Sequence, residues 1–355
     1  MDYYYTSESS DGEPSDRTID LAYLLHNKEK LEELFEDYID DEKKKHLDIN
    51  KVILHHNLLN VIPNNLMKFS NMKFLDLSNT GLTTFPDIFQ FCKLTSLSLK
   101  NNLLQNDTLP KEFTECASLR ELSLSGNNIT EFPEQIFNFL NLKFIYLGGN
   151  GMRNISKDIW KLKHLQVLSI GGNKITEVPP SLGALTNLQC VVLSHNQIES
   201  LPAAIANLHS LKTLLLHKNR LRALPPEMIA LKNLSELSLR DNPLVVRFVS
   251  LITHEPPSLL ELSARVIKLY NIEVGRHEIP ITLFHYLNSA HRCVNPYCKG
   301  VYFDNRVEHI KFVDFCGKYR IPLLQYLCSS KCATTNLEED LRPHRSYLMQ
   351  KVLLG

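Results

Sequence analysis

The stretch LKFIYLGGNGMRNISKDIWKLKHLQVLSIGGNKI, residues 142–175, contains one short pattern twice, with a spacing of 23 residues. In each copy the first, fourth, sixth and eleventh positions are apolar and the ninth is asparagine. The copies are Leu142-Ile145-Leu147-Asn150-Met152 and Leu165-Leu168-Ile170-Asn173-Ile175. Because successive residues of a β-strand point to opposite faces, the pattern predicts a short strand with one buried face, followed by a turn.

The same pattern continues in both directions along the chain. Its ninth positions are mostly 23 residues apart, with one step of 22 and one of 25, and Thr80 replaces the asparagine once. Leucine makes up roughly one residue in six. The other seven copies begin at Ile49, Met72, Leu94, Leu119, Leu188, Leu211 and Leu234. Nine copies in one register resemble the leucine-rich repeat family.

This resemblance implies an α/β fold, a horseshoe-shaped solenoid of about nine leucine-rich repeats. The apolar strand residues point inward, and the asparagine side chain satisfies backbone groups left unpaired at the turn. Several repeats continue with an apolar residue and then proline, which cannot extend a ladder and turns the chain away from it. These steps are Phe85-Pro86, Phe132-Pro133, Val178-Pro179, Leu201-Pro202 and Leu224-Pro225.

The composition changes on either side of the repeats, which we place at residues 47–246. Residues 1–19 are rich in Ser, Asp, Glu and Tyr and are expected to form a disordered tail. In residues 20–46, leucines and Phe35 recur at helical spacing among Glu and Lys, which predicts an amphipathic N-terminal helical cap. Such a cap covers the edge of the first repeat.

Composition and charge exclude several classes of partner. The 39 Lys and Arg balance the 39 Asp and Glu, so no nucleic-acid partner is expected. No run of 18 apolar residues is present, which argues against a membrane span. The polar, acidic N-terminus does not resemble a signal peptide, and we expect a cytoplasmic and possibly nuclear protein. Its eight cysteines are then expected to be thiols or metal ligands.

The exposed strand positions of the repeats are the predicted binding surface for a protein substrate. Aromatic and aliphatic residues form its centre and charged residues its rim, a composition that protein-binding hot spots share. The candidate substrate contacts are Phe144, Tyr146, Val167, Val192, His195, Leu215, His217, Lys218 and Arg240. No acid–base constellation or phosphate-binding glycine loop accompanies them, so a non-catalytic protein is expected.

After the repeats, residues 247–290 contain two motifs that resemble docking segments of cullin-RING ubiquitin ligase receptors. Ser258 can cap a helix in which Leu259, Leu262, Ser263, Val266 and Ile267 share one face. This spacing resembles the elongin C-binding box, in which a leucine fills an apolar pocket and a small residue permits close approach. The alternative is an ordinary amphipathic helix that closes the repeats.

The second motif begins 20 residues after Leu259 and resembles a cullin box. Its aliphatic-Pro step is Ile279-Pro280, followed by Leu283 and Leu287. The cullin 5 version usually has a proline where Glu278 stands, whereas the looser cullin 2 version fits these four residues. The choice between cullin 2 and cullin 5 therefore stays open.

Residues 291–355 contain two close cysteine pairs, Cys293 with Cys298 and Cys328 with Cys332. Such pairs in a reducing compartment are typical of a structural tetrahedral zinc site, which would staple a small C-terminal helical lobe. Cys316, His291 and His309 could replace one ligand. Eight ligands would be needed for a RING finger, so that class is not expected.

Together these features resemble cullin-RING ligase substrate receptors that combine leucine-rich repeats with an elongin-binding box. The resemblance implies elongin C and elongin B, cullin 2 or 5 and a RING subunit as partners, and an unknown protein substrate marked for proteasomal degradation. The alternative is a leucine-rich repeat scaffold that regulates a signalling protein without ubiquitin. A thiol enzyme that uses Cys316 is a third, weaker alternative.

Overall fold

The computed structural model describes residues 18–39, 47–91, 93–245, 257–295, 297–315, 319–334 and 351–353. Cys92, Cys316 and almost all of the predicted tail lie outside these residues. The chain divides into two compact units. The first contains the described residues up to Ile175 together with Asn187–Val192, and the second contains Thr176–Thr186 and the residues from Leu193 onward.

In the first unit, eight short parallel strands pair in chain order. Each consists of three residues, and the middle residue is fully or almost fully buried. This alternation confirms the period-two pattern of the sequence. The strands are β1 (Thr18–Asp20), β2 (Lys51–Ile53), β3 (Phe74–Asp76), β4 (Ser96–Ser98), β5 (Glu121–Ser123), β6 (Phe144–Tyr146), β7 (Val167–Ser169) and β8 (Cys190–Val192).

The second unit continues the repeats with β9 (Thr213–Leu215) and β10 (Glu236–Ser238), which pair in parallel. A late strand, β15 (Lys351–Leu353), pairs in parallel with β10. Two antiparallel hairpins complete the strands of this unit. They are formed by β11 (His291–Arg292) with β12 (Val301–Tyr302), and by β13 (Val307–Phe315) with β14 (Tyr319–Leu327).

The asparagines at the ninth position of the repeats form a ladder of side-chain hydrogen bonds to the backbone, as the sequence predicts. Asn127 is buried, and its Nδ2 donates to the carbonyl oxygens of Leu99 and Leu124 at 2.9 and 3.0 Å. Its Oδ1 accepts from the backbone N–H of Leu104 at 3.0 Å. Each such asparagine thereby joins its own turn to the preceding repeat.

Four of the five proline steps lead into short 3-10 helices, which carry the chain away from the strands. Pro133, Pro179, Pro202 and Pro225 each stand immediately before one of them. The 3-10 helices are Asn64–Lys68, Asn106–Thr108, Glu134–Asn138 and Lys157–Lys161 in the first unit, and Pro180–Ala184, Ala203–Asn207 and Pro226–Ala230 in the second.

The sequence predicts a helical cap over residues 20–46, of which residues 40–46 lie outside the described part of the chain, and residues 20–39 are less helical than predicted. It begins with β1, whose Ile19 is fully buried and pairs with Val52. A helix, α1 (Lys28–Glu36), follows, and it buries Leu31 and Phe35 against the first repeat. The earlier residues form a strand because the open edge of the sheet offers backbone partners that a helix could not use.

The C-terminal lobe is helical only in part. Helices α2 (Leu259–Leu269) and α3 (Ile281–Asn288) agree with the predicted helical character, and α4 (Lys331–Thr334) is one short turn. The two hairpins lie between α3 and α4, where the sequence analysis expected helices after residue 290. Strand β14 also exchanges backbone hydrogen bonds with Leu224 of the eighth repeat. Among the described residues, no helix has the length and apolar character to cross a membrane.

Candidate functional site

Four predicted substrate contacts lie on the solvent-facing side of the sheet in the first unit. Phe144 is directly opposite Val167 in the neighbouring strand, and Tyr146 follows on the same side of β6. These side chains and Val192 are half-buried, while the strand residues between them point into the core. Burial is the main cause that raises the pKa of the Tyr146 hydroxyl, so it stays a neutral hydrogen-bond donor. The surface combines apolar area with one polar group, as protein-binding hot spots do.

The other five predicted contacts belong to the second unit. Leu215 and His217 are half-buried, whereas His195, Lys218 and Arg240 are exposed. His195 and Lys218 are not strand residues, because their φ angles are 55° and 56° and they occupy the turn before the ladder asparagine. They therefore form the margin of the strand surface.

His217 is held in its neutral state by its surroundings. Its Nδ1 is 3.2 Å from Ser238 Oγ, and its ring packs edge-on against that of His195 with centroids 5.2 Å apart. Burial lowers the pKa of His217, and the positive potential of His195, Arg240 and Lys218 lowers it further. At neutral pH the imidazole is thus an uncharged hydrogen-bonding group beside exposed cations.

The turn before each ladder position has a backbone conformation that the repeat pattern does not predict. In all nine repeats the residue before the ladder asparagine, or before Thr80 in one repeat, has a φ between 54° and 69°. Gly126, Gly149 and Gly172 relieve the strain there. The signal was present in the sequence as an excess of Gly, Asn, Asp and His immediately before the asparagine.

Helix α2 exposes the apolar face that the elongin-box resemblance singles out. Ser258 caps it by accepting from the N–H of Glu261, as predicted. The exposed fractions of Leu259, Leu262 and Val266 are 83%, 45% and 49%. Ser263 lies exposed among them, with its hydroxyl donating to the carbonyl of Leu259. Full burial of one such side chain would contribute about 1.5 to 3 kcal/mol, so this exposed apolar face is a candidate docking surface.

Two further apolar residues extend this face beyond the predicted set. Leu269 and Tyr270 are exposed at the end of α2, while the predicted contact Ile267 turns inward and packs against the lobe. We define the docking face as Leu259, Leu262, Ser263, Val266, Leu269 and Tyr270.

The inner face of α2 is polar, a feature that sequence reasoning missed. Glu261 is only 2% exposed and forms an ion pair with Arg265, whose Nε and Nη2 lie 3.0 and 2.5 Å from its Oε1. Burial alone would raise the pKa of Glu261. Hydrogen bonds from Arg265 and from the backbone N–H groups of Asn305 and Phe303 outweigh burial and hold the pKa below its usual value. The carboxylate is therefore ionised and fully paired.

The predicted cullin box occupies the start of α3 and the segment before it. Pro280 is the N-cap residue and is exposed, as is Leu283. Ile279 is half-buried against the cluster of Ala264, Leu287 and Phe303. Leu287 itself is only 8% exposed, so it packs within the lobe rather than on its surface.

The four predicted metal ligands converge in the second unit. The Sγ atoms of Cys293, Cys298, Cys328 and Cys332 all lie within 4.8 Å of one another, and His291 and His309 are not part of the cluster. Cys298 and Cys328 are 3.5 Å apart at sulfur, and Cys328 and Cys332 are 3.6 Å apart. Bonds of about 2.3 Å from a central ion to four thiolates require sulfur separations of this size.

The backbone around the cluster fits a metal centre as well. The N–H of Gly300 donates to Cys298 Sγ at 3.3 Å, and that of Cys328 donates to Cys293 Sγ at 3.5 Å. The buried Asn295 donates to the carbonyl of Cys332 at 3.0 Å and accepts from the N–H of Tyr297. The two N–H groups orient the sulfurs, and Asn295 fixes the backbone next to them, as hydrogen bonds around the ligands do in metal sites.

The thiols of the cluster differ in their readiness to ionise. Burial raises the pKa of Cys328 and of Cys332. Burial acts in the same direction on Cys298, but hydrogen bonds from the Gly300 N–H and the neighbouring thiols outweigh it and lower its pKa. Several buried thiolates cannot share this space unless a cation neutralises them.

The repeats and their ladder define the class to which this protein belongs, the leucine-rich repeat proteins, whose repeats bind other proteins. The leucine rich repeat family profile matches residues 117–175 and 163–221. Leucine-rich repeat-containing protein 58 of Xenopus laevis is 57% identical over 357 residues, covering 98% of this chain and 99% of the relative. The chain belongs to the leucine-rich repeat-containing protein 58 family.

One further relative supports the family, and one solved structure supports the fold. Leucine-rich repeat-containing protein 58 of Xenopus tropicalis is 46% identical, with 98% of this chain and 99% of the relative covered. Among solved structures, a chain of the octameric complex of latrophilin 3, Unc5D and FLRT2 is similar with a TM-score of 0.52 and 24% identity. That likeness covers 66% of this chain and 78% of the other, and it shows the shared fold alone.

Proposed function

We propose that this protein is the substrate receptor of an elongin–cullin–RING ubiquitin ligase. The repeats would hold a target protein, and the docking face would bind elongin C, which carries elongin B. The receptor supplies no reacting group. Its contribution is proximity, because the assembled ligase brings a charged ubiquitin-conjugating enzyme close to lysines of the target.

One observation carries this proposal: α2 buries a carboxylate and exposes leucines. A helix that only closed the repeats would turn its apolar residues inward. Here Leu259 and Leu262 face solvent while Glu261 is paired inside. Amphipathic helices that present such a stripe bind in apolar grooves of partner proteins. Ser263 supplies the small side chain at the position where the elongin-binding box requires close approach.

The segment before α3 supports the cullin contact. Pro280 and Leu283 are exposed and lie after α2 in the order that the two boxes require. Leu287 is buried, so the proposed contact consists of the exposed residues at the start of α3. Either cullin 2 or cullin 5 is compatible with these residues, and immunoblotting of purified complexes for both cullins decides between them.

We also propose that Cys293, Cys298, Cys328 and Cys332 bind one structural zinc ion. Zinc supplies charge neutralisation and four strong bonds to a lobe whose own apolar core is small. Metal analysis of protein purified without chelators should give one zinc per chain. A zinc content near zero, with the cysteines reduced, would contradict this part of the proposal.

Co-purification with elongins B and C tests the ligase assignment. The double variant Leu259→Ala/Leu262→Ala removes two exposed side chains, so the fold should be unaffected and elongin capture should fall at least tenfold. Leu140→Ala is the control, because the exposed fraction of Leu140 in the repeats, 56%, lies between those of Leu259 and Leu262. Wild-type protein that captures no elongin would refute the assignment and leave a scaffold that binds its partner through the repeats alone.

Capture of target proteins, and their accumulation when the ligase is inhibited, tests the substrate surface. Phe144→Ala with Tyr146→Ala removes the aromatic pair from the first unit and should reduce substrate capture without changing elongin capture. Proteins that accumulate when cullin neddylation is inhibited, and that bind the wild type but not this variant, are the expected substrates. Loss of both activities together would indicate a folding defect instead.

A further inference from the structure

The docking helix is attached to its lobe by polar contacts rather than by a broad apolar face. Of the inward residues of α2, Ala264 and Ile267 pack against the lobe, and Glu261 and Arg265 form the ion pair. An alanine and one partly buried isoleucine bury little apolar area. The position of α2 therefore depends strongly on what Glu261 and Arg265 bind.

Both members of the pair bind backbone groups of the four-cysteine lobe. Arg265 Nη1 donates to the carbonyl of Cys328 at 2.8 Å, and Nη2 donates to the carbonyl of Asn305 at 2.5 Å. Glu261 accepts from the N–H of Phe303 at 3.2 Å and from the N–H of Asn305 at 2.9 Å. One bond thus ends on a proposed zinc ligand itself.

The other bonds end on a segment whose position the cysteine cluster controls. β12 begins directly after Gly300, whose N–H donates to Cys298 Sγ and whose carbonyl accepts from the N–H of Cys293. Phe303 follows β12 immediately. A change in the geometry of the four sulfurs therefore moves the backbone groups that Glu261 and Arg265 bind.

One apolar cluster of the lobe lies around Ala264, Leu287 and Phe303. The cluster that surrounds the sulfurs consists of Val307, Leu327, Cys293 and Cys332, with Cys298 and Cys328 packed against it. Half of the buried members are thus the proposed ligands. Small domains with so little apolar core depend on a metal or another covalent staple for their structure.

We propose that zinc occupancy of the four-cysteine centre positions α2 through Glu261 and Arg265, so that metal loss releases the docking helix. This inference rests on the proposed function only for its consequence, which is that zinc-free receptor binds elongin C weakly. The positional coupling itself concerns this chain alone. Because coupling between two binding sites is reciprocal, bound elongin C should raise the affinity for zinc by the same factor by which bound zinc raises the affinity for elongin C.

Hydrogen exchange on the full chain tests the coupling without any partner. Removal of zinc by a chelator should speed exchange of backbone amides in residues 258–270 at least tenfold, and added zinc should restore protection. Peptides covering residues 142–175 should not change. Unaltered exchange of α2 after complete zinc removal would overturn the proposal.

Variants separate the positioning pair from the metal. Arg265→Gln should leave one zinc per chain but raise α2 exchange in zinc-loaded protein, while the exposed control Arg276→Gln should have no effect. Cys298→Ser removes one proposed zinc ligand and leaves Glu261 and Arg265 unchanged. It should cause the same loss of protection from exchange in α2. Normal α2 protection in zinc-loaded Arg265→Gln would contradict the assigned role of the pair.

Elongin binding distinguishes failure of this inference from failure of the proposed function. Zinc-loaded wild type that binds no elongin, yet shows zinc-dependent protection of α2, refutes the ligase assignment alone. Zinc-free protein that binds elongin as tightly as the loaded form refutes the coupling alone. The expected result is at least a tenfold loss of elongin affinity on zinc removal.

Discussion

Gly300 leaves room for the sulfur of Cys328: a Cβ atom at position 300 would lie 2.7 Å from Cys328 Sγ and 3.1 Å from Cys298 Sγ. No side chain can occupy that position while the two sulfurs remain at their present separation. The cysteine pairs alone therefore do not make the centre, because the backbone between them must also approach closely.

Gly300→Ala is expected to weaken zinc binding about 10- to 100-fold, the range typical of changes just outside the ligand shell. Competition with a chromophoric chelator measures the affinity. Gly275→Ala is the control, since the added Cβ would meet only the flexible side chain of Glu278. Equal affinity of the Gly300 variant and the wild type would show that the sulfurs need not converge as they do here.

Asn127→Ala is expected to lower the free energy of unfolding by about 2 kcal/mol, because it leaves buried backbone groups without their partners. The neighbouring Asn128 is exposed, so Asn128→Ala should stay within about 0.5 kcal/mol of the wild type. Urea denaturation of both variants makes the comparison. Similar losses for the two variants would contradict the ladder.

The pKa of His217 is expected to lie below its usual value of 6.5. Arg240→Gln removes one of the cations that depress it and should move it upward, which an NMR titration of the imidazole measures. Because the folded pKa is lower than the unfolded one, the unfolded state takes up the proton first as pH falls. Stability is therefore complete above the unfolded pKa and decreases as pH falls through 6.5 toward the folded value. A His217 pKa at or above 6.5 would contradict this environment.

Lys218→Gly is expected to raise the free energy of unfolding by about 1 kcal/mol, because Lys218 has a φ of 56° where other repeats have glycine. Lys212, which precedes β9 in the same repeat, has no positive φ, so Lys212→Gly should be neutral or destabilising. Thermal denaturation compares the two. Destabilisation by both substitutions would show that contacts of the Lys218 side chain stabilise the fold by more than its positive φ costs.

The repeats were predictable because each carries its own periodic signal. Val52, Leu75 and Leu97 stand at the same step of the pattern, and each is buried in the middle of a strand. The N-terminal cap was less predictable, because Ile19 pairs with Val52, at a sheet edge that exists only in the folded protein. The helical spacing of the nearby leucines predicted a longer helix than the structure has, since local spacing does not show this strand pairing.

Part of the candidate site was likewise predictable from the sequence, and part was not. Cysteine spacing correctly brought together the four sulfurs, because ligand pairs are local in sequence. Nothing in the sequence joins Arg265 to Cys328, which are 63 residues apart and meet through a backbone carbonyl. Helical spacing placed Ile267 on the docking face, but the tilt of α2 turned it inward, and only three-dimensional packing sets that tilt.

The stripe of leucines on α2 also bears on the lifetime of the uncomplexed chain. In a newly synthesised chain without its partner, the exposed leucines can bind chaperones or promote aggregation. Uncomplexed protein should therefore be degraded faster than assembled protein. Cellular abundance would then follow the supply of the partner subunit rather than the rate of synthesis, and recombinant yield should improve on co-expression.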